Sequence, residues 1–255
     1  MLITLGFFID LFVFLCFYLI MEELKKLFEP YSLCYFDADS SGKREYLTSY
    51  IESSAVLSGR KAMEELINSD SLDLFDFSIK FCLRVFQSVG SLWFLLPTSS
   101  GGKYHGGVLS TSNYIGGNIV HTASVVKMVP KVLNRYRELL NNTGPEFVSF
   151  REVLTCACLL HDIGKAGAKG DEVYSCGTHG EIGASIISDC WSKGDFKSSC
   201  PSSFSFFIDP LVFAVHEHMY MWRGINYLDR VLVDSKLTPS VLCAIMLCEF
   251  DYFSF

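Results

Sequence analysis

Apolar residues recur three or four positions apart along most of this chain, the spacing that turns one face of a helix toward a core. EELKKLF, AMEELI and FSIKFCLRVF carry the pattern through residues 22–96 and predict a small helical N-terminal region. From Asn118 to Leu140 it returns in Ile119, Val120, Val125, Met128, Val129, Val132 and Leu139. That helix should kink at Pro130 and end at Asn141-Asn142-Thr143-Gly144-Pro145. Further helices are predicted from about Ser149 to Ile163, His179 to Trp191, Pro210 to Trp222, and Pro239 to the end. No stretch alternates in the period-two manner of a strand, so the expected fold is all-α. Between the helical regions, Pro97 to Gly117 is punctuated by Gly101-Gly102, Gly106-Gly107 and Gly116-Gly117 and predicts a long loop. Long ordered loops in compact domains are often functional. The organisation is therefore an apolar segment (1–21), a helical region (22–96) and a C-terminal domain (97–255).

The apolar segment complicates this picture. Residues 2–21, LITLGFFIDLFVFLCFYLIM, are long enough to span a bilayer. Asp10 works against insertion, since a mid-membrane carboxylate costs about 2.5–3.5 kcal/mol. With no basic stretch before the segment and no small-residue cleavage site after it, a cleaved signal peptide is the weakest reading. Three others stand: a membrane anchor with Lys25 and Lys26 on its cytoplasmic side, a buried apolar helix, or spurious upstream coding with Met21 as the start.

Half of the 255 residues are hydrophobic and 19% are charged, enough to fold by core burial alone. A formal net charge of −7 supplies no basic field, so tight binding to long duplex nucleic acid is not expected. Phosphorylated small molecules, nucleotides and short single strands remain open as ligands. The ten cysteines form no C-x-x-C pair and no secreted-type framework, which predicts reduced, mostly buried thiols and a cytoplasmic protein. Asp37-Ala-Asp39-Ser-Ser41-Gly42 matches the first half of a calcium loop. Arg44 and Thr48 then stand where an apolar residue and a bidentate Glu are needed, so the expectation is a polar turn.

The chemistry concentrates late in the chain, where all six histidines follow residue 100. A lone histidine on an apolar helix is usually a satisfied structural residue; here it is the combination that matters. Leu159-Leu160-His161-Asp162-Ile163-Gly164-Lys165 sets an imidazole beside a carboxylate at the end of an apolar run. Such donors suit borderline and hard divalent ions, and adjacent positions let the carboxylate bridge to a second ion. Lys165, four residues after His161, shares its helix face and can meet a phosphate oxygen.

The sequence resembles the HD phosphohydrolase superfamily, whose pattern of H, then HD, then two further histidines, then D spreads over an α-helical bundle. The resemblance covers roughly residues 100 to 255. Gly116-Gly117-Asn118-Ile119-Val120-His121 looks like the family's G-G-x-x-x-H segment, Thr178-His179-Gly180-Glu181-Ile182-Gly183-Ala184 its third-histidine segment, AVHEHMYMW (214–222) its fourth, and Glu249-Phe250-Asp251 its closing aspartate. The resemblance implies one metal ion on His121, His161, Asp162 and Asp251, with Asp162 bridging to a second on His179 and His218. It further implies one or two divalent ions of the Mn, Mg, Zn, Fe or Ni class, and a metal-activated hydroxide attacking a phosphate ester of a nucleotide or nucleic-acid end. Asp162 and Lys165 are then the catalytic residues.

His216 and His218, about 200° apart on a helix, cannot both face the metals; the family's arrangement favours His218. Asp251 is preferred to Asp229, which sits in a polar turn, because an unpaired carboxylate in an apolar helix would be costly. Lys103-Tyr104-His105-Gly106 resembles a string that precedes the first ligand in some HD proteins. Tyr104 would stack on a base and Lys103 and His105 contact phosphate. Asp251 lies only four residues from the end of the sequence, which would leave a short last helix. No G-Y-P segment follows His218, against the cyclic di-guanylate branch. Two rivals share these residues: a noncatalytic HD module that binds a nucleotide or partner at a membrane, and an HD-type oxygenase with a di-iron pair.

Overall fold

The computed structural model describes residues 40–51, 53–99, 115–140, 145–173, 177–193, 196–201, 207–220 and 239–253. These residues are helical and contain no strand. In order they form α1 (Ser40–Thr48), α2 (Ser54–Ile67), α3 (Asp76–Ser88), α4 (Gly117–Leu140), α5 (Pro145–Leu160), α6 (His179–Lys193), α7 (Phe196–Ser199), α8 (Ile208–Glu217) and α9 (Pro239–Phe253), with 3₁₀ turns at Asp70–Leu72 and Ser91–Phe94. The apolar segment 2–21, the EELKKLF stretch and the K-Y-H-G string lie outside the described residues. Among those described, no helix is long and apolar enough to cross a membrane.

The calcium-like stretch is corrected by α1. Ser40 to Thr48 is helix, driven by good helix formers in KREYL, so it is neither a metal loop nor a polar turn; Asp37 and Asp39 fall outside the described residues.

At the centre stands α5, which begins four residues earlier than its apolar pattern suggested, with Pro145 at the favoured first position. From Val153 to Leu160 every residue is buried. A helix apolar all round belongs in a core, and α5 packs against α3, α4, α8 and α9. On its flank α6 and α8 pack together, and α8 in turn packs on α9. One buried cluster runs from Leu47 to Phe250, across the expected boundary at residues 96 and 97. Phe81 of α3 ties the two parts together. Fully buried, it meets Trp191, Phe196 and Phe207 edge-on at 5.3–6.0 Å between ring centroids. Burying such a ring contributes about 1.5–3 kcal/mol, and each edge-on pair adds about 0.5–1.5 kcal/mol. Cys82, Cys156, Cys158, Cys190, Cys200, Cys243 and Cys248 are free thiols.

Two helices end sooner than their apolar patterns. α5 stops at Leu160 rather than Ile163, and α8 stops at Glu217 rather than Trp222. The cause is the same in both. His161 Nδ1 bonds the Cys158 carbonyl (2.8 Å) and His218 Nδ1 bonds the Val215 carbonyl (2.6 Å). A histidine that takes one of the last carbonyls closes its helix from the side chain. After Leu160 the chain tightens into successive turns, from Ile163 N to Leu160 O, Lys165 N to Asp162 O and Gly167 N to Gly164 O.

Candidate metal centre

Close backbone approaches bring the ligand-type residues together. Gly116, at φ 79°, donates to Leu95 O (2.9 Å), and Asn118 N donates to Leu96 O (3.1 Å), which anchors the start of α4. His121 follows one turn later. Gly164 allows α6 to begin against the turn after α5: a Cβ there would stand 2.1 Å from the His179 carbonyl oxygen. Gly180 does the same between α6 and α8, where a Cβ would lie 2.7 Å from His216 O. Glycine is the only residue that permits both contacts.

The result is a buried cluster of four imidazoles, two carboxylates and one ammonium. His121 Nε2 lies 3.2 Å from His161 Nε2 and 2.8 Å from Asp251 Oδ1. His179 Nε2 lies 3.1 Å from His218 Nε2. Between these pairs stands Asp162, with Oδ2 3.1 Å from His161 Nε2 and Oδ1 3.3 Å from His179 Nε2. His216 is excluded; it is 42% exposed and turns to Glu217 Oε1 at 2.7 Å. Lys165 Nζ donates to Thr98 O (2.9 Å) and Asn118 Oδ1 (3.2 Å) and lies 2.5 Å from Asp162 Oδ2.

Three observations show that this donor set fits divalent metal. Asp162 Oδ2 is buried without a well-directed hydrogen bond although charged groups surround it. The two Nε2 pairs are spaced as are donors sharing one ion with bonds of about 2.0–2.1 Å, which stand about 3.0–3.4 Å apart. His161 and His218 are each held at Nδ1 by a backbone carbonyl, the contact that leaves Nε2 with its lone pair toward the cluster. The donors fall into two groups that share one carboxylate: His121, His161 and Asp162, and Asp162, His179 and His218.

Burial and mutual charge set the protonation. Burial lowers His121, against the opposing pull of Asp251. Burial, then the charges of His179 and His161, lower His218 to about 3. Burial also works to lower His161, but the neighbouring Asp162 and Asp251 carboxylates prevail and raise it. Asp162 sits well below the usual carboxylate range because His161 and Lys165 outweigh the burial that would raise it. Asp251 is lowered in the same way by His121. Neutral imidazoles and ionised carboxylates are the forms that bind metal.

A family model described as the HD domain matches residues 119–255, more than half of the chain. The chain belongs to the HD-domain family. That family is the HD metal-dependent phosphohydrolase superfamily, whose members are generally metal-dependent hydrolases. No significant match exists among curated proteins or among solved structures.

Some residues that build this HD domain's centre were not singled out from the sequence. Trp93, fully buried, donates from Nε1 to the Asp162 carbonyl at 2.8 Å. Thr98 and Asn118 fix the Lys165 ammonium. Asn118 lies inside the G-G-x-x-x-H segment, a signal that could have been used. For Trp93 and Thr98, 69 and 67 positions away from their partners, the sequence offered none. Lys103, Tyr104, His105 and Asp229 lie outside the described residues.

Proposed function

We propose that this HD domain hydrolyses a phosphate ester, of the phosphomonoester or phosphodiester type, on a nucleotide or the end of a short single strand. The observation that carries this reading is the pair of ligand groups sharing Asp162. Divalent ions bound there would polarise the phosphoryl oxygens and activate water.

The chain's own residues account for the rest. His121, His161 and Asp251 converge on one side of Asp162, His179 and His218 on the other, and all are buried. Burial removes competing water and strengthens every charge interaction in the cluster. Lys165, tethered to Thr98 and Asn118, opposes the Asp162 charge. It would supply a fixed positive charge near which phosphate charge can develop. The net acidity of the chain favours a small anionic substrate over a long polyanion.

Metal analysis of the full chain, with phosphate release from nucleotides and short oligonucleotides, tests the reading. Two ions per chain and metal-dependent release are expected. His218→Ala should lose one ion and the activity, while His216→Ala keeps both. A metal-free protein that still binds a nucleotide would replace the hydrolase with a binding module. A metal-loaded protein that consumes oxygen but releases no phosphate would replace it with an oxygenase.

A further inference from the structure

A pocket separate from the buried cluster lies beyond the turn that follows α5, where α3 and α6 end. Arg84, Ser88, Val89 and Gly90 form one wall, Gly167 to Gly170 the floor, and Ile186, Asp189, Cys190 and Lys193 the other wall, around a volume of about 260 Å³. The lining carries three cations, Arg84, Lys169 and Lys193, against one carboxylate. In a chain with a net charge of −7 this is a local inversion of sign.

One of the three cations is paired within the pocket and two are not. Lys193 pairs with Asp189 at 2.5 Å. Arg84 and Lys169 have no ion-pair or hydrogen-bond partner among the described residues, yet both face the same hollow. The carbonyl ends of α3 and α6 account for a cation near each helix terminus. Lys169 belongs to neither helix, so helix ends alone do not explain the cluster. The wall and floor meet backbone to backbone at Gly90 and Gly170. A Cβ on Gly90 would stand 2.5 Å from Gly170 O, and Gly167 and Gly170 both have positive φ, 73° and 70°. This backbone contact holds the segment that carries Lys169 against the end of α3, which carries Arg84, so the two cations share one hollow.

From this geometry we propose that the pocket binds a phosphate group, in a site separate from the metal centre. Its volume is below the roughly 300–1,000 Å³ of sites that enclose drug-sized ligands. The occupant is therefore one small tetrahedral anion, either free inorganic phosphate or the terminal phosphate of a nucleotide whose remainder stays in solvent. Arg84 supplies a planar fork for two oxygens and Lys169 a point charge. The floor begins two residues after Lys165, so an anion here braces the turn that carries His161 and Asp162.

Phosphate titrations of metal-free full chain carrying Asp162→Asn test the site with the metal centre disabled. The readouts are melting temperature and calorimetry, with sodium chloride at matched ionic strength as reference. Saturable phosphate binding and a rise in melting temperature are expected. Adding Arg84→Gln and Lys169→Gln should weaken that binding at least tenfold while leaving the phosphate-free melting temperature within a few degrees. Adenosine 5′-monophosphate binding at least as tightly as phosphate would identify a nucleotide as the source; binding of inorganic phosphate alone would identify the free anion. A response no larger than that to chloride, or equal affinity in the double variant, overturns the site. The proposed hydrolase stands or falls separately, because no ion and no turnover enter this measurement.

Discussion

Two buried carboxylates lie ten residues apart, one midway along α5 and one just past its end, and the same burial leaves them in opposite states. Glu152, midway along the helix, accepts the Phe75 backbone N–H at 2.8 Å and so serves the first turn of α3. Burial raises its pKa. Asp162, just past the helix end, is no less enclosed, but His161 and Lys165 hold it well below the usual carboxylate range. The difference teaches how to tell a packing carboxylate from one placed where it could hold metal. A packing carboxylate is met by a neutral donor and gives up charge readily. A carboxylate of the kind that can hold metal is kept ionised by the ammonium and by imidazoles that carry a proton when no ion is bound, at the desolvation cost that an ion would offset.

The largest effect that would break this comparison is in Asp162→Asn. An amide cannot bridge two ions, and its NH2 would face imidazole nitrogens 3.1–3.3 Å from the present carboxylate oxygens. Metal content by elemental analysis should fall, and any phosphate release should drop well beyond the roughly 10–100-fold typical when a group that only orients a ligand is lost. Retained metal and activity would mean that Asp162 is another Glu152.

Gly164→Ala comes next. The added methyl would meet His179 O at 2.1 Å and Gly183 N at 2.6 Å, both backbone atoms that cannot swing aside. We expect a loss of about 3 kcal/mol in denaturant unfolding, together with reduced metal content, because α6 must move and take His179 with it.

Acid gives the third effect. In the metal-free protein His218 has a folded pKa of about 3, below its usual 6.5. Between those values the unfolded chain binds a proton that the folded chain refuses, so stability falls as pH drops below about 6.5. His121, also lowered, acts in the same direction. His161, raised, contributes fully below 6.5 and loses its contribution only as pH rises above it, so it does not reverse the acid trend. Asp162 and Asp251 add to the loss once pH falls toward and below the usual carboxylate range. The metal-free melting temperature should drop by about 5 °C or more from pH 7 to pH 5. A flat profile would show that the imidazoles are less buried than described.

Much of this was legible in the sequence, for reasons that differ by element. The apolar run of α5 marked a core helix, and Asp251 stood out as a carboxylate that an apolar helix could not hold unpaired. It lies 2.8 Å from His121 Nε2. The ends of α5 and α8 were not legible, because periodicity registers which side chains are apolar and not that His161 and His218 turn back onto carbonyls. Nor was the anchoring of Lys165, whose partners come from the stretch before α4 and from its first turn. The contacts that join residues before 97 to the bundle after it, Phe81 on Trp191 and Trp93 on the Asp162 carbonyl, were not legible either, since no local pattern announces them.

The smallest expected effect sharpens the comparison from the other side. In Glu152→Gln the amide oxygen can still accept from Phe75 N, and its NH2 replaces Oε2, an atom buried without a hydrogen-bond partner. Arg151 is engaged by Asp73 and lies 3.9 Å from Oε2, so little charge pairing is lost. Because burial raises the folded pKa of Glu152, its ionised form destabilises the fold increasingly as pH climbs above the unfolded carboxyl range. The glutamine variant should therefore melt within a few degrees of wild type at pH 5 and gain on it by pH 8, within about 1 kcal/mol throughout. Its metal content should not change. If the variant instead lost stability as pH rose, the Glu152 charge would be a favourable partner to Arg151, and the two carboxylates would be governed by the same rule.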